Sequence, residues 1–574
     1  MEKILVLGNE RTKEWSKNVP GSVFVSMPIF SLGEDGETKL SEFVSNNIVT
    51  EVSAIVFDVD NIQNNAICLS MAICIRLSVL ELKKTALVPI MFMTGLGFEQ
   101  FLGTPYAAIL FTKGIYVDNP ENVMMVIGSL SALPCEEYKS GFVNLIKVNP
   151  NAAEGRHSIA NQWGADVLNR VLTGGITTNI SIQKARTSLY FKYVLLQTLN
   201  AGDLEDYILG KNARLLVTKK SRIPIDGKKI LLLDDEADKG WGDILQSLFR
   251  GGTVNIICER VKDYESLSDT AKKAIEQGDY DLILLDLRLN GLEEENVYNP
   301  ADFSGMKILR RIKQLNRGTQ VIVFTASNKA WNLKALIEEG ADGYYIKESP
   351  EYHLPIKYSE HNVDAFREEI SRCLKRSYLK DVYKSIQVYK NCFSHKGIES
   401  AFTNAILNHL GIAFNMLEKA NDKQQHTYAY AYVCLEQILE IVSEEFTSKK
   451  DGYFLIIETG ERCKNYVLCG NVCKEEEEYV TDVDFPQWKR ISSVYYQLWK
   501  GSDNTFGADM QRLISKRNAF IHNDKRLLEK SNVCGGRKAR VLTDIFNATT
   551  FLELYKRIEE ILTNIKDHLG STQN

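Results

Sequence analysis

Short apolar runs, each closing on a polar residue, recur through much of the chain, with helix-like stretches between them. In the first of two such series the runs are Ile4–Leu7, Val23–Ser26, Ala54–Phe57, Ile90–Met93 and Ala108–Phe111. In the second they are Lys228–Leu233, Val254–Cys258, the Asp281–Leu289 stretch, Gln320–Phe324 and Gly343–Ile346. Runs without polar alternation fit strands buried on both faces of a parallel sheet, whose crossovers are helices. Trp241–Phe249, Ser266–Gln277, Met306–Leu315, Trp331–Glu339 and Val363–Tyr378 supply them in the second series. The pattern predicts doubly wound α/β domains with polar strand ends gathered on one sheet edge. Past residue 385 strand signals fade. Gly397–Leu417, His426–Phe446, Phe485–Trp499, Ala508–Phe520 and Phe546–Leu569 carry apolar residues at helical spacing. Tyr453–Thr459 is a short strand candidate among them, and Glu475–Glu478 reads as a solvated loop.

The expected order is an α/β domain over 1–150, a helical connector over 151–226, a second α/β domain over 227–380 and an all-α domain over 385–574. Ser221–Gly227, with its Pro and Gly, reads as the linker into the second α/β domain. Arg156–Gly164 gathers polar groups around Trp163; it reads as a capped helix start packed on a neighbouring domain in preference to a ligand site. A helix is expected after it, through Arg186–Leu199.

Composition narrows this picture without redirecting it. At 44% hydrophobic and 25% charged, the chain has ordinary core material for a soluble protein. A net charge of -5 excludes a globally basic nucleic-acid binder and leaves room for a local basic patch. Eleven cysteines in 574 residues do not read as a secreted disulfide framework. Cys463, Cys469 and Cys473 lack CxxC spacing and a nearby His, and read as thiols in preference to a zinc site. The N-terminus opens on a strand with no signal-peptide pattern, and the apolar stretch Ala66–Ile75 stops at Arg76, too short to span a bilayer. A cytoplasmic protein without a membrane partner is expected.

The second series concentrates the chemistry. Asp234, Asp235 and Glu236 follow its first strand, Asp286 ends its third, Thr325 its fourth and Lys347 its fifth. Carboxylates crowded at one edge persist only if they take up protons or if a cation such as Mg²⁺ neutralises them. A cation, an ammonium opposite and a hydroxyl between are the parts that hold a phosphoryl group on a carboxylate. These residues closely resemble the receiver domain of two-component response regulators. The resemblance implies that Asp286 is the phosphoacceptor, served by a sensor histidine kinase or other phosphodonor. It implies that Asp235, Asp286 and the Arg288 carbonyl bind Mg²⁺, with Asp234 assisting through water. Thr325 would then hydrogen-bond the phosphoryl oxygen, Lys347 would pair with its charge, and Tyr344 matches the aromatic switch. Two features depart from the family: Glu348 follows the lysine where Pro is usual, and the Asn290–Ser304 loop is long.

The first series repeats the order with Asp58 and Asp60, Thr94 and Lys113, but has Gly8-Asn9-Glu10 where the second has Asp234-Asp235-Glu236. It reads as a divergent copy of the same fold that has lost its acidic pair and is not phosphorylated. Two rivals stand beside it: a structural domain whose strand ends simply carry acids, and a resemblance of Asp58-Val59-Asp60 to the haloacid-dehalogenase DxD motif.

In the helical region the distinctive segment is Arg517-Asn518-Ala-Phe-Ile-His522. Asn518 and His522 share a helix face, while Arg517 and His522 do not line one narrow face but could both reach a cleft between helices or between protomers. Imidazole moves protons near neutrality and guanidinium stabilises phosphorane charge, enough to cleave RNA through its own 2′-hydroxyl. Lys516, Lys525, Arg526, Lys530, Arg537, Lys538 and Arg540 make the neighbourhood basic. The segment resembles the Arg-polar-x-x-x-His motif of the HEPN superfamily of all-α ribonucleases. That resemblance implies a homodimer whose paired motifs form one metal-independent RNA-cleaving site, and a setting in stress or antiphage defence; Glu436 is a candidate accessory acid. The alternative is a non-enzymatic signalling adaptor whose helical domain binds a partner protein.

Overall fold

Both α/β domains fold as five parallel strands with the same topology. In the first, β1 (Lys3–Gly8), β2 (Ser22–Ser26), β3 (Val52–Asp58), β4 (Ile90–Met93) and β5 (Ile115–Asp118) lie in the order β2-β1-β3-β4-β5. In the second, β6 (Lys229–Leu233), β7 (Thr253–Ile257), β8 (Leu282–Asp286), β9 (Gln320–Thr325) and β10 (Gly343–Ile346) lie in the order β10-β9-β8-β6-β7. Numbered within each domain, both sheets read 2-1-3-4-5, an order that reverses beside its first strand and opens a crevice at the C-terminal edge there. The computed structural model describes residues 3–28, 36–48, 51–59, 62–104, 106–150, 155–211, 220–291, 294, 296–326, 330–395, 399–419, 426–476, 485–521 and 545–571.

The chain divides into two compact units. One comprises Met1–Ile312 with Gln320–Lys375, the other Lys313–Thr319 with Arg376–Asn574. In the first unit, β8 is central and buried along its whole length, as its unbroken apolar run requires. Ile62–Leu77 (α1) holds the Ala66–Ile75 stretch, and Cys68, Leu69, Met71, Ala72, Cys74 and Ile75 are all buried against the first sheet. A helix apolar on nearly every face belongs inside a core. No single helix among the described residues is long and apolar enough to cross a membrane.

Several expectations are corrected. The apolar run Ala107–Phe111 is a 3-10 helix, not a strand, and the fifth strand follows at Ile115–Asp118. A short apolar run has no periodicity that separates the two states. The expected Arg186–Leu199 helix breaks at Ser188, whose extended backbone ends Ile180–Thr187 (α3) and begins Leu189–Thr198 (α4). Before them, Arg156–Thr173 (α2) starts at Arg156 itself, and its N-cap is Gly155, which has no capping side chain.

In the second unit, Tyr378–His395 (α5), Ala401–Glu418 (α6), Thr427–Phe446 (α7), Gln487–Ser493 (α8), Phe506–Ile521 (α9) and Ala548–Ser571 (α10) bury their apolar stripes around Tyr432, Leu435, Leu439, Leu513 and Leu562. The unit is not all-α. Thr447–Lys450 pairs antiparallel with Tyr453–Ile456, and Asn465–Cys469 with Val472–Glu476. Glu475 and Glu476 thus stand in an exposed strand, not a loop, and Glu477 and Glu478 lie outside the described residues. The Tyr453–Thr459 candidate is a strand over Tyr453–Ile456, while the other three are too short or too polar to register against the helical pattern around them. Cys463, Cys469 and Cys473 are free thiols and form no metal-holding group among the described residues.

Candidate functional site

The register of the second sheet brings the acids together. Leu233 of β6 lies opposite Leu285 of β8, so Asp234 and Asp286 follow at the same level on adjacent strands. On the other side Asp286 pairs with Phe324, and Thr325 with Ile346. The next residue, Lys347, donates its backbone N–H to the Thr325 carbonyl at 2.7 Å. Its side chain turns back across the edge, and Nζ donates to Asp234 Oδ2 at 2.9 Å and to Asp286 Oδ2 at 3.0 Å.

The pocket is closed. Asp234 and Asp286 are 1% exposed, Thr325 2%, Asp235 8% and Lys347 0%. Burial, reinforced by Asp286, Asp234 and Glu236, pushes the Asp235 carboxyl up to about 8, with Lys347 opposing. Burial raises Asp286 too, against the pull of Lys347. For Lys347 burial acts downward, but Asp234 and Asp286 outweigh it and hold the ammonium above its ordinary range. One lysine therefore does not satisfy this much negative charge; the site is poised to take more positive charge.

What closes the pocket is α2. From its first turns Asn161, 0% exposed, accepts from Lys347 Nζ at 2.6 Å and donates to Glu236 Oε2 at 2.5 Å. His157 lies one turn earlier on the same face, with Nε2 at 3.9 Å from Asp286 Oδ2. Burial, and then the Lys347 charge, lower the imidazole's pKa, so it stays neutral. Gly164 lets the helix approach: a Cβ there would stand 3.1 Å from the Trp241 ring and 3.3 Å from the Glu348 carbonyl. Trp163 points away, stacked on Phe191 at 5.7 Å. The Arg156–Gly164 segment is therefore both a helix start packed on the second sheet and part of the pocket. Sequence reasoning did not count His157 and Asn161 as site residues, and their four-residue spacing was the available signal.

The remaining landmarks are ordered by the same frame. Tyr344 stands 42% exposed on β10, while Tyr345 turns inward onto Phe366 at 4.4 Å. The Arg288 guanidinium lies 4.7 Å from the Phe303 ring. Glu348, at the family's Pro position, is buried and accepts from Ser359 Oγ at 2.6 Å and Asn362 Nδ2 at 3.3 Å. Glu294 of the long loop folds back to accept from the Ser304 backbone at 2.8 Å.

The first sheet replaces this chemistry. Asn9 caps the helix Glu10–Ser16, accepting from Arg11 N at 2.8 Å and Thr12 N at 3.2 Å. The Thr12 hydroxyl donates to the Asp58 carboxylate. Gly8 stands level with Asp58 because Leu7 pairs with Phe57, and a Cβ on it would meet the Thr12 side chain at 2.4 Å. The Lys113 landmark is corrected: it precedes β5, where Lys347 follows β10, and its ammonium pairs with Glu137 at the surface. Thr94 is buried at the end of β4, and Asp60 lies outside the described residues.

In the helical unit, Arg517 of α9 places Nε 2.8 Å from Oε2 of Glu436, whose side chain is 0% exposed, and donates to Asn518 Oδ1 at 2.9 Å. Burial raises the Glu436 carboxyl, and the arginine partly offsets it. His522 and the basic residues from Lys525 to Arg540 lie outside the described residues.

Two family models match the chain. One, described as the response regulator receiver domain, matches residues 230–357; the other, the inactive receiver domain, matches residues 8–117. The chain carries two receiver-type domains. The N-terminal receiver is inactive-like, in keeping with Gly8-Asn9 in place of the acidic pair and with Lys113 turned to Glu137, and the second has its acids and lysine in place. Among curated proteins, the nitrate/nitrite response regulator protein NarP of Escherichia coli (strain K12) is 32% identical over 99 residues, 17% of this chain. That match spans 41% of the relative's length. A CheY-like receiver domain protein from Methanospirillum hungatei JF-1 matches 25% of this chain and 98% of its own, at 22% identity and a TM-score of 0.17. A Burkholderia pseudomallei response regulator, solved with a phosphorylated aspartic acid, calcium ion and citrate, matches 27% of this chain and 83% of its own at 20% identity and a TM-score of 0.17.

Proposed function

We propose that the second receiver is a phosphorylation switch for the helical unit, with Asp286 accepting a phosphoryl group from a sensor histidine kinase or other phosphodonor. The observation that carries this reading is Asp286 held 3.0 Å from the Lys347 ammonium, on an edge shared with Asp234, Asp235 and Thr325. In this role the Asp286 carboxylate is the nucleophile, Lys347 pairs with the added charge and the Thr325 hydroxyl donates to a phosphoryl oxygen. Tyr344 reports the change at the exposed strand face. The donors suit Mg²⁺: Asp235 Oδ1 is buried and, among the described residues, has no hydrogen-bond partner. Asp235, Asp286 and the Arg288 carbonyl would hold the ion, with Asp234 assisting through water, and it would neutralise charge on the incoming phosphoryl group. Asp286→Asn should abolish acid-labile labelling; persistent labelling would place the acceptor elsewhere.

For the output, the reading is a metal-independent HEPN-type endoribonuclease, with Arg517, Asn518 and His522 paired across a homodimer and RNA as substrate. Its support is the Arg-Asn-x-x-x-His spacing, with Glu436 beside Arg517 to hold the guanidinium in place. RNA cleavage is compared for wild type and His522→Ala, with and without a phosphodonor. Cleavage by wild type alone supports the nuclease. Equal background from both removes it and leaves the adaptor that binds a partner protein.

A further inference from the structure

The imidazole of His157 is 9% exposed, and among the described residues its Nε2 has no hydrogen-bond partner. Asp235 Oδ1, across the same pocket, is also buried and lacks one. Two buried polar atoms without partners are costly, and that cost is relieved when something accepts their lone pairs. Donor atoms of His157, Asp235 and Asp286 all lie within 4.8 Å of one another. Bonds of about 2.0–2.2 Å set two donors on one ion about 3 Å apart when adjacent and at most about 4.4 Å apart when opposite, so the three donors close on an ion by drawing in by up to about 1–2 Å. The fold makes room for the ring. A Cβ on Gly291 would stand 2.4 Å from the His157 imidazole, and the glycine leaves that volume to it. Lys347 lies on Asp234 and on Oδ2 of Asp286, and the Arg260 guanidinium reaches only to 3.8 Å of Asp235 Oδ2, so neither fills the space at Asp235 Oδ1.

We propose that His157, from the connector helix, is a nitrogen ligand to the receiver's divalent cation, completing a His-Asp-Asp set that prefers Mn²⁺ or a later first-row transition ion to Mg²⁺. The inference rests on the receiver reading only for where the cation sits. Mg²⁺ takes oxygen donors, holds its waters tightly and gains little from imidazole, whereas transition ions gain from it increasingly along the series. Because His157 belongs to α2 and the carboxylates to the sheet, a bound ion also clamps the connector onto the receiver. Metal binding therefore stabilises the seated helix by mass action.

The test uses the full chain, stripped with a chelator and titrated calorimetrically with MnCl₂ and with MgCl₂. Bound Mn²⁺ is then read by pulsed electron paramagnetic resonance. Wild type should bind Mn²⁺ more tightly than Mg²⁺ and show ¹⁴N modulation from a coordinated imidazole. In His157→Ala the modulation should vanish and Mn²⁺ affinity should fall on the order of 10- to 100-fold, at least what loss of an outer-shell partner costs. His157→Gln, which keeps bulk and polarity, should do the same if the alanine variant fails to fold by circular dichroism. Unchanged Mn²⁺ affinity in a folded variant, or wild-type Mn²⁺ without ¹⁴N modulation, overturns the assignment. Phosphoryl labelling plays no part in these readouts. Failure of Asp286 labelling would therefore sink the switch and leave the metal site standing, and the reverse holds too.

Discussion

If α2 closes the phosphoacceptor pocket, loosening α2 should speed phosphorylation, and Asn161→Ala is the cleanest way to loosen it. The amide bridges the Lys347 ammonium and the Glu236 carboxylate at 2.6 and 2.5 Å. Hydrogen bonds to charged groups are each worth about 1.5–3 kcal/mol net, and two on one residue are not fully additive. Truncation should therefore favour the unseated helix by about 2–3 kcal/mol. Lys347 keeps Asp234 and Asp286 in the variant, so the pocket chemistry survives. With Asp286 only 1% exposed, labelling passes through the open state, and a shift of that size raises the open fraction about 30- to 150-fold. The assay is the initial rate of acid-labile labelling by a small donor such as acetyl phosphate at saturating Mg²⁺, with Asp286→Asn as the blank. An unchanged rate in a folded Asn161→Ala protein would refute the reasoning, since the helix would then not control access.

Three further outcomes follow from particular contacts. Arg517→Ala strands Glu436, whose side chain is 0% exposed, and should destabilise the helical unit by about 2–4 kcal/mol; Arg517→Ala with Glu436→Gln should recover part of it in calorimetric melts, and no recovery would exclude the pair as the cause. Gly8→Ala brings a Cβ to 2.4 Å from Thr12 and should destabilise the inactive-like receiver by about 1–3 kcal/mol, measured as a lowered urea midpoint. Burial raises the Glu348 carboxyl despite Ser359 and Asn362, so the fold favours its protonated form. Its contribution is present below the unfolded carboxylate range and declines as pH rises through the raised folded value. Glu348→Gln should flatten the urea midpoint against pH over that interval, and parallel profiles for the two proteins would count against it.

How far the site was legible in the sequence depended on whether its residues announce themselves locally. Asp286 ends an unbroken apolar run, as do Asp234, Thr325 and Lys347, and parallel strands in a fixed order bring such ends together without further information. The first domain's degeneracy was legible from Gly8-Asn9, but its reason was not: Thr12, four residues on, takes the Asp58 carboxylate and the space above Gly8. Lys113 was misplaced because Ala107–Phe111 and Ile115–Asp118 are both short and apolar, and only pairing with β4 decides which is the strand. Glu348 looked like a departure from the family pattern until Ser359 and Asn362 of the following helix were seen to receive it.

The sequence by itself determined two receiver-type sheets, the acids and lysine of one of them, and a helical region beyond. Those features depend on strand period, strand ends and helix period, which act between near neighbours. Only the tertiary structure decided that Asp286 is covered, and by what. Asn161 lies 186 residues before the lysine it meets and 75 before Glu236. No local preference encodes that meeting, because it requires one helix to dock on a sheet edge made by distant strands. Docking buries Ala165, Leu168 and Val171 in one core with Leu232 and Trp241, and it sets His157 and Asn161 where the chemistry lies.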